Sequence, residues 1–139
     1  MSGALAFLPG VMAGANSSPV YLGDGQVNSI GSGLRTATLR LSSDGNIYAG
    51  DNGTYTLSRS WLYSGAASAY DVYCTVNFGT VTGTTGSWLN LGTTRDWAVS
   101  DGTNDGGENQ AQITLQIRNA STLAVLASGV WTIFADRTG

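Results

Sequence analysis

The sequence contains no lysine and no histidine, and its six basic residues are all arginine. Without these side chains the chain cannot form a Ser-His-Asp or Cys-His catalytic group, a Schiff base, a P-loop phosphate site or a histidine-ligated metal site. Nine acidic residues give a formal net charge of −3. The arginines are scattered, so the sequence does not predict a nucleic-acid partner.

Cysteine is nearly absent as well. Cys74 is the single cysteine, so no disulfide can form within the chain. Its neighbours at alternate positions are Val72, Val76 and Phe78. This apolar pattern predicts a buried thiol with a structural role.

The sequence also lacks an apolar run long enough to cross a membrane, which takes about 20 helical residues. The longest apolar segment, residues 4–15, is interrupted by Pro9 and Gly10. No basic residue precedes it, because the first one in the chain is Arg35. It therefore fits neither a membrane span nor a secretory signal peptide. We interpret residues 1–19 as an extended arm that folds back on its own domain or, our preferred alternative, binds a neighbouring subunit. Its candidate partner-binding residues are Leu5, Phe7, Leu8, Val11 and Met12.

Alternation of apolar and polar residues, broken by Gly, Asn, Asp and Ser, dominates the rest of the chain. This pattern predicts an all-β fold: an immunoglobulin-like antiparallel β-sandwich, with a jelly roll as the second choice, in a single domain of residues 20–139. Asp51-Asn52-Gly53 predicts a tight hairpin, and Ser128-Gly129 predicts a bulge. The predicted strands are residues 34–41, 47–49, 54–63, 70–81, 88–91, 96–100, 111–118, 123–127 and 130–135.

Charge is scarce at the surface positions of these strands. Only 11% of the residues are charged, compared with about 25% in an average soluble domain. Many β proteins use lysine to prevent sheet edges from pairing with other chains, and this chain has none. The composition therefore favours a subunit of a homo-oligomeric assembly.

One loop contains several hard oxygen ligands. Asp101, Asp105 and Glu108 lie in the glycine-rich residues 101–109, and calcium binds such oxygens in irregular loops. Their spacing does not match an EF-hand or a calcium-binding repeat. We therefore treat them as candidate calcium ligands in a segment whose simpler interpretation is a solvated hairpin loop.

Tryptophans are the other candidate ligand-binding residues, because exposed aromatic rings can stack on sugars. Trp61 and Trp131 lie in alternating strands and are predicted to be core residues. Trp88 follows a Gly/Thr-rich loop and Trp97 follows Arg95-Asp96, so these two have the best chance of contact with a glycan or a partner. Packing under the loops is nevertheless the favoured interpretation for both. No pair of carboxylates stands out as a catalytic pair, and we predict that the protein is not an enzyme.

Residues 70–137 contain a pattern of tryptophans followed by a hairpin: WLNL at 88–91, TRDW at 94–97, ITLQIRNA at 113–120 and LASGVWTI at 126–133. This pattern resembles the small β-sandwich structural proteins of tailed bacteriophage virions, which serve as tail, fibre or capsid-decoration components. The resemblance implies a non-enzymatic part present in many symmetric copies. It defines no binding residues that could be assigned here.

Taken together, the residues and the resemblance predict a virion structural protein that is assembled in the cytoplasm of a bacterial host. Its partners would be other virion subunits, and a tail location is preferred to capsid decoration. The alternative is a carbohydrate- or cell-surface-binding module that recognises a host glycan, with calcium as a possible cofactor.

Overall fold

A computed structural model describes residues 20–61, 65–102 and 107–137, except for the side chains of residues 57–60. The predicted N-terminal arm lies outside these residues. The described chain forms nine strands and one three-residue 3₁₀ turn, Ala67–Ala69. The strands are β1 (Gly25–Gly31), β2 (Thr36–Leu41), β3 (Asn46–Asp51), β4 (Thr54–Ser60), β5 (Tyr70–Phe78), β6 (Trp88–Asn90), β7 (Arg95–Ser100), β8 (Glu108–Asn119) and β9 (Val125–Arg137).

The strands form two sheets that pack against each other, which confirms the predicted all-β sandwich. One sheet has the order β1-β9-β8-β5-β6 and the other β4-β3-β2-β7. The prediction of a purely antiparallel sandwich was wrong at one place, because β1 runs parallel to β9 from Gly25 opposite Trp131 to Gly31 opposite Arg137. A parallel neighbour requires a long crossover. Here almost the whole domain separates the two strands.

Strand β1 was not predicted from the sequence. Its residues GQVNSIG include two glycines, an asparagine and a serine, which are typical of loops. The buried positions are Val27 and Ser29, so only one of the two inward side chains is apolar. The strand forms because all seven of its residues pair with β9. The alternation of residues within β1 cannot reveal a contact with a strand so distant in the sequence.

The core lies between the sheets and follows the predicted alternation. In β8 every second residue from Ala111 to Ile117 is buried, and in β9 Trp131, Ile133 and Ala135 are buried. Trp61 also lies in the core, where its ring makes an edge-to-face contact with Tyr70. Its indole N–H donates to the Ser42 carbonyl oxygen at 3.0 Å, which satisfies the one polar atom of this buried ring.

Of two local features predicted from the sequence, the structure contains the tight turn but not the bulge at its predicted place. Asn52 and Gly53 both have positive φ, which confirms the tight turn between β3 and β4. The bulge predicted at Ser128-Gly129 was wrong, because these residues pair regularly with Gln116 and Leu115. The irregularity lies next to Ile117 instead, and β9 is one continuous strand.

Candidate functional site

The described chain enters the sandwich beside β9. Val20 and Leu22 are buried, and the backbone N–H of Val130 donates to Asp24 Oδ1 at 2.6 Å. A Cβ at Gly129 would overlap the Gly23 carbonyl oxygen, so the lead segment (residues 20–24) lies directly against β9. Leu5, Phe7, Leu8, Val11 and Met12 lie outside the described residues.

Strand β1 forms that edge of the five-stranded sheet. It pairs with β9 on one side, and no other described strand pairs with its opposite side. Gln26, Asn28 and Ile30 are exposed, and the strand contains no charged residue and no proline. A β-edge of this kind is a template for pairing with another chain.

The remaining edges are protected in different ways. Thr82 forms a two-way backbone bridge with Ala98, which covers the outer side of β7. Strand β6 has only three residues. Strand β4 is the other seven-residue edge, and its sequence TYTLSRS contains one charged residue, whereas that of β1 contains none. In the described part of the chain, β1 is thus the long edge that lacks both cover and charge.

Exposed apolar side chains gather near the same edge. Ile30 lies on β1 and is 58% exposed, while Leu34 lies just beyond its end and is 56% exposed. Tyr21 lies in the lead segment and is 69% exposed. Single exposed apolar residues are normal on a surface, and these three lie near the two ends of the open strand. On the rest of the described surface the large exposed apolar residues are Phe78, Leu123, Val125 and Val130.

The structure corrects the assignment of Trp97. Its ring is fully buried, and its indole N–H donates to the Thr84 carbonyl oxygen at 2.8 Å. Trp97 therefore cannot stack on a glycan. The sequence held a signal for this burial, because Val99 has the same strand parity and is also buried.

Trp88 is partly exposed but lies in a packed cluster. The Arg118 guanidinium lies over its ring, 4.2 Å from the ring centre, and the Tyr73 ring lies 5.1 Å away at a tilt. Arg118 in turn pairs with Asp71, Nε to Oδ2, at 2.9 Å. This cation–π contact was not predicted, since it depends on the register of three neighbouring strands.

The candidate calcium ligands do not converge in the described residues. Asp101 is buried, and Arg137 Nε lies 3.5 Å from its Oδ2 atom. Glu108 is exposed and accepts a hydrogen bond from Gln110. Asp105 lies outside the described residues. Within residues 20–61, 65–102 and 107–137 no group of three acidic or thiol side chains could hold a metal ion.

A cleft of about 500 Å³ opens beside this loop, where the ends of β5, β7 and β8 meet. Its lining combines hydroxyl, amide and backbone groups with the apolar side chain of Val99, and none of the lining residues is acidic, basic or a cysteine. The lining residues are Gly79, Thr80, Thr82, Val99, Ser100, Gly102, Asn109 and Gln110.

Cys74 is fully buried in β5, as the sequence predicted. Burial raises the pKa of its thiol to about 12, because the thiolate would lose its hydration. The thiol is therefore protonated at neutral pH and poorly nucleophilic.

Comparison with known proteins identified no relative of this chain. Models of protein families, curated proteins and solved structures all gave no match to this chain. Among the described residues, no helix has the length and apolar character needed to cross a membrane. The functional argument therefore rests on the strand edges and their chemistry.

Proposed function

We propose that this chain is a non-enzymatic structural subunit of a tailed bacteriophage virion, present in many copies. The observation that supports the proposal is the open edge at β1, which is uncharged and flanked by the exposed residues Tyr21, Ile30 and Leu34. Such an edge is a liability for an isolated protein and a docking element for a subunit. The apolar arm of residues 1–19 precedes this same edge.

The mechanism is association through extended backbone. A neighbouring strand that adds to β1 would satisfy its free N–H and C=O groups, and the arm would bury apolar side chains on another subunit. One such contact is weak on its own. Repetition around a symmetric particle multiplies it into strong binding, which suits a small domain with few charges.

We also assign the sandwich to the immunoglobulin-like class. The strand order β9-β8-β5-β6 corresponds to G-F-C-C′ of that fold, and the pairing of β2 with β7 corresponds to B with E. The hairpin of β3 and β4 occupies the position beside B. Immunoglobulin-like sandwiches often serve as surface modules, and this agrees with a structural role.

A tail location is preferred to capsid decoration because of the resemblance noted in the sequence. A carbohydrate-binding role receives less support. Trp97 is buried, and the guanidinium of Arg118 stacks on Trp88. The function proposed here therefore remains structural.

Quantitative mass spectrometry of phage particles, purified on a density gradient from the culture that produces the chain, tests the proposal. We expect the chain to band with the particles in many copies per particle. Its absence from intact particles would overturn the proposed function.

A truncated chain that lacks residues 1–18 tests the arm separately. We expect it to fold with an unchanged melting temperature, because Val20 and Leu22 remain, and to be lost from the particles. Equal incorporation of the truncated and full chains would show that the arm has no role in assembly.

A further inference from the structure

We infer that β1 pairs antiparallel with β1 of a second copy of this chain, around a two-fold axis at Asn28. The inference rests on the proposed function in one respect, namely that sheet edges carry the assembly. Beyond the proposed function, it specifies which strand pairs, that its partner is a second copy of the chain, and which residues lie opposite each other. Two five-stranded sheets would become one continuous ten-stranded sheet across the axis.

The first support is the self-complementarity of the strand. A two-fold axis at Asn28 places Gln26 opposite the partner's Ile30, Val27 opposite the partner's Ser29, and Gly25 opposite the partner's Gly31. None of these residues carries a charge, so no like charges face each other. In a contact between two identical strands around a two-fold axis, each strand must be compatible with its own residues in reverse order, and this strand meets that condition.

The second support is that the edge is already ordered for pairing. All seven residues of β1 are in register with β9. The buried Ser29 hydroxyl donates to Asp51 on the opposite sheet, which fixes the inner face of the strand. Pairing would therefore cost little ordering entropy in β1 itself.

The third support is the position of the exposed apolar residues. Ile30 and Leu34 lie at the C-terminal end of β1, and Tyr21 lies before its N-terminal end. Antiparallel pairing brings the C-terminal end of one strand beside the N-terminal end of the other. Leu34 of one copy would therefore approach the partner's Tyr21, once on each side of the axis.

The other described edges fit this geometry less well. The outer side of β7 is covered by Thr82, and β6 has only three residues. Strand β4 has the same length as β1, but its sequence TYTLSRS contains a charged residue, whereas that of β1 contains none. The edge at β1 therefore suits a two-fold pairing better than the other described edges.

Charge substitution at the axis gives a direct test by sedimentation equilibrium of the full chain. In Asn28→Lys and in Asn28→Asp, two like charges face each other, and we expect each variant to dimerise about tenfold more weakly or worse. A mixture of the two variants should restore dimers, because opposite charges then meet. Thr75→Lys is the matched control, since Thr75 is exposed on the same face, three strands from β1.

Cross-linking tests the register independently of charge. Directly opposite residues of antiparallel strands have Cα atoms about 4.5–5.5 Å apart, within the range of a disulfide. We expect Asn28→Cys to form a symmetric disulfide-linked dimer on oxidation and Thr75→Cys to form none. The native Cys74 is buried and does not compete.

The outcomes separate this inference from the proposed function. A full chain that is monomeric at all concentrations, or Asn28 variants that dimerise like the unaltered chain, would overturn the pairing at β1. So would dimers that form only after residues 1–18 are deleted, since the arm would then cover β1. A monomeric chain that is nevertheless found in particles leaves the proposed function standing, whereas dimers through Asn28 in a chain missing from particles overturn that function alone.

Discussion

Arg118 and Asp71 lie directly opposite each other on β8 and β5, and the guanidinium of Arg118 also covers the ring of Trp88 on the adjacent strand β6. The carboxylate of Asp71 accepts a second hydrogen bond from the side-chain amide of Asn90, at 3.1 Å. One arginine therefore joins three strands at the outer face of the sheet.

The opposite sheet repeats this arrangement. Arg40 on β2 pairs with Asp96 on β7 through two hydrogen bonds of 2.8 and 2.9 Å. Its guanidinium lies 3.9 Å from the centre of the Tyr55 ring. Arg35 and Arg137 also form ion pairs, with Asp51 and Asp101 respectively. Four of the six arginines are thus paired with aspartates, which leaves fewer uncompensated charges than the composition alone indicates.

Replacement of these arginines should have unequal effects on stability. Arg118→Ala leaves the Asp71 carboxylate, only 12% exposed, without its cation, and we expect the free energy of unfolding to fall by about 1–3 kcal/mol. Arg40→Ala should cost about 1 kcal/mol or less, because both partners of that pair are more exposed and water screens them. Urea denaturation measures both values. Equal losses for the two variants would contradict this account.

Gly129 is essential to the position of the lead segment. A Cβ at this residue would overlap the Gly23 carbonyl oxygen and touch Leu22. We expect Gly129→Ala to lower the free energy of unfolding by about 1–3 kcal/mol through this overpacking. Gly102→Ala is the matched control, since the space around Gly102 is open. Thermal melting of the two variants should show a clear loss for the first and little change for the second.

The sequence predicted what depends on local alternation. The strands around Cys74 and Ile113, and the turn at Asn52, appear where the pattern placed them. It could not predict β1, because the burial of Ser29 depends on a hydrogen bond to Asp51, which is distant along the chain. Trp97 was offered as a glycan-facing residue, whereas it lies in the core with Val99, which has the same strand parity.

The same distinction holds for the candidate site. Poorly guarded edges could be inferred from the missing lysines. Which edge stays open depends on pairing partners far apart in the chain, such as Thr82 with Ala98. Composition identifies the kind of surface, and only the topology gives its location.

Cys74 should make stability depend on alkaline pH. Its pKa lies near 12 in the folded protein, compared with an ordinary value of 9.0. Between these values the unfolded chain releases a proton that the folded chain keeps, so stability falls as pH rises from about 9 towards 12. The slope due to this residue approaches about 1.4 kcal/mol per pH unit. Burial also raises the pKa of Tyr70, which adds a further loss in the same direction at higher pH.

Comparison of the unaltered chain with a Cys74→Ala variant isolates the contribution of the thiol to the pH dependence of stability. Cys74→Ala removes the titrating group and leaves Tyr70 unchanged, so the difference in unfolding free energy between the two proteins should shrink above pH 9. Urea denaturation at a series of pH values measures this difference. A difference that stays constant from pH 7 to pH 11 would show that Cys74 does not titrate as stated.

Asp51 should control how firmly β1 is held. Its carboxylate accepts hydrogen bonds from the buried Ser29 hydroxyl and from the Arg35 guanidinium, so it links β1 to the opposite sheet. Asp51→Asn keeps the turn chemistry at Asn52-Gly53 and removes the ion pair. We expect a loss of about 1 kcal/mol in unfolding free energy and faster amide exchange in β1 than in β8, because the charge-assisted bonds to Ser29 and Arg35 are weakened. Asp96→Asn is the control, since it weakens an ion pair on the outer face of the same sheet without touching β1. Hydrogen exchange measured by mass spectrometry distinguishes the two variants, and equal exchange of β1 in both would mean that Asp51 does not anchor this strand.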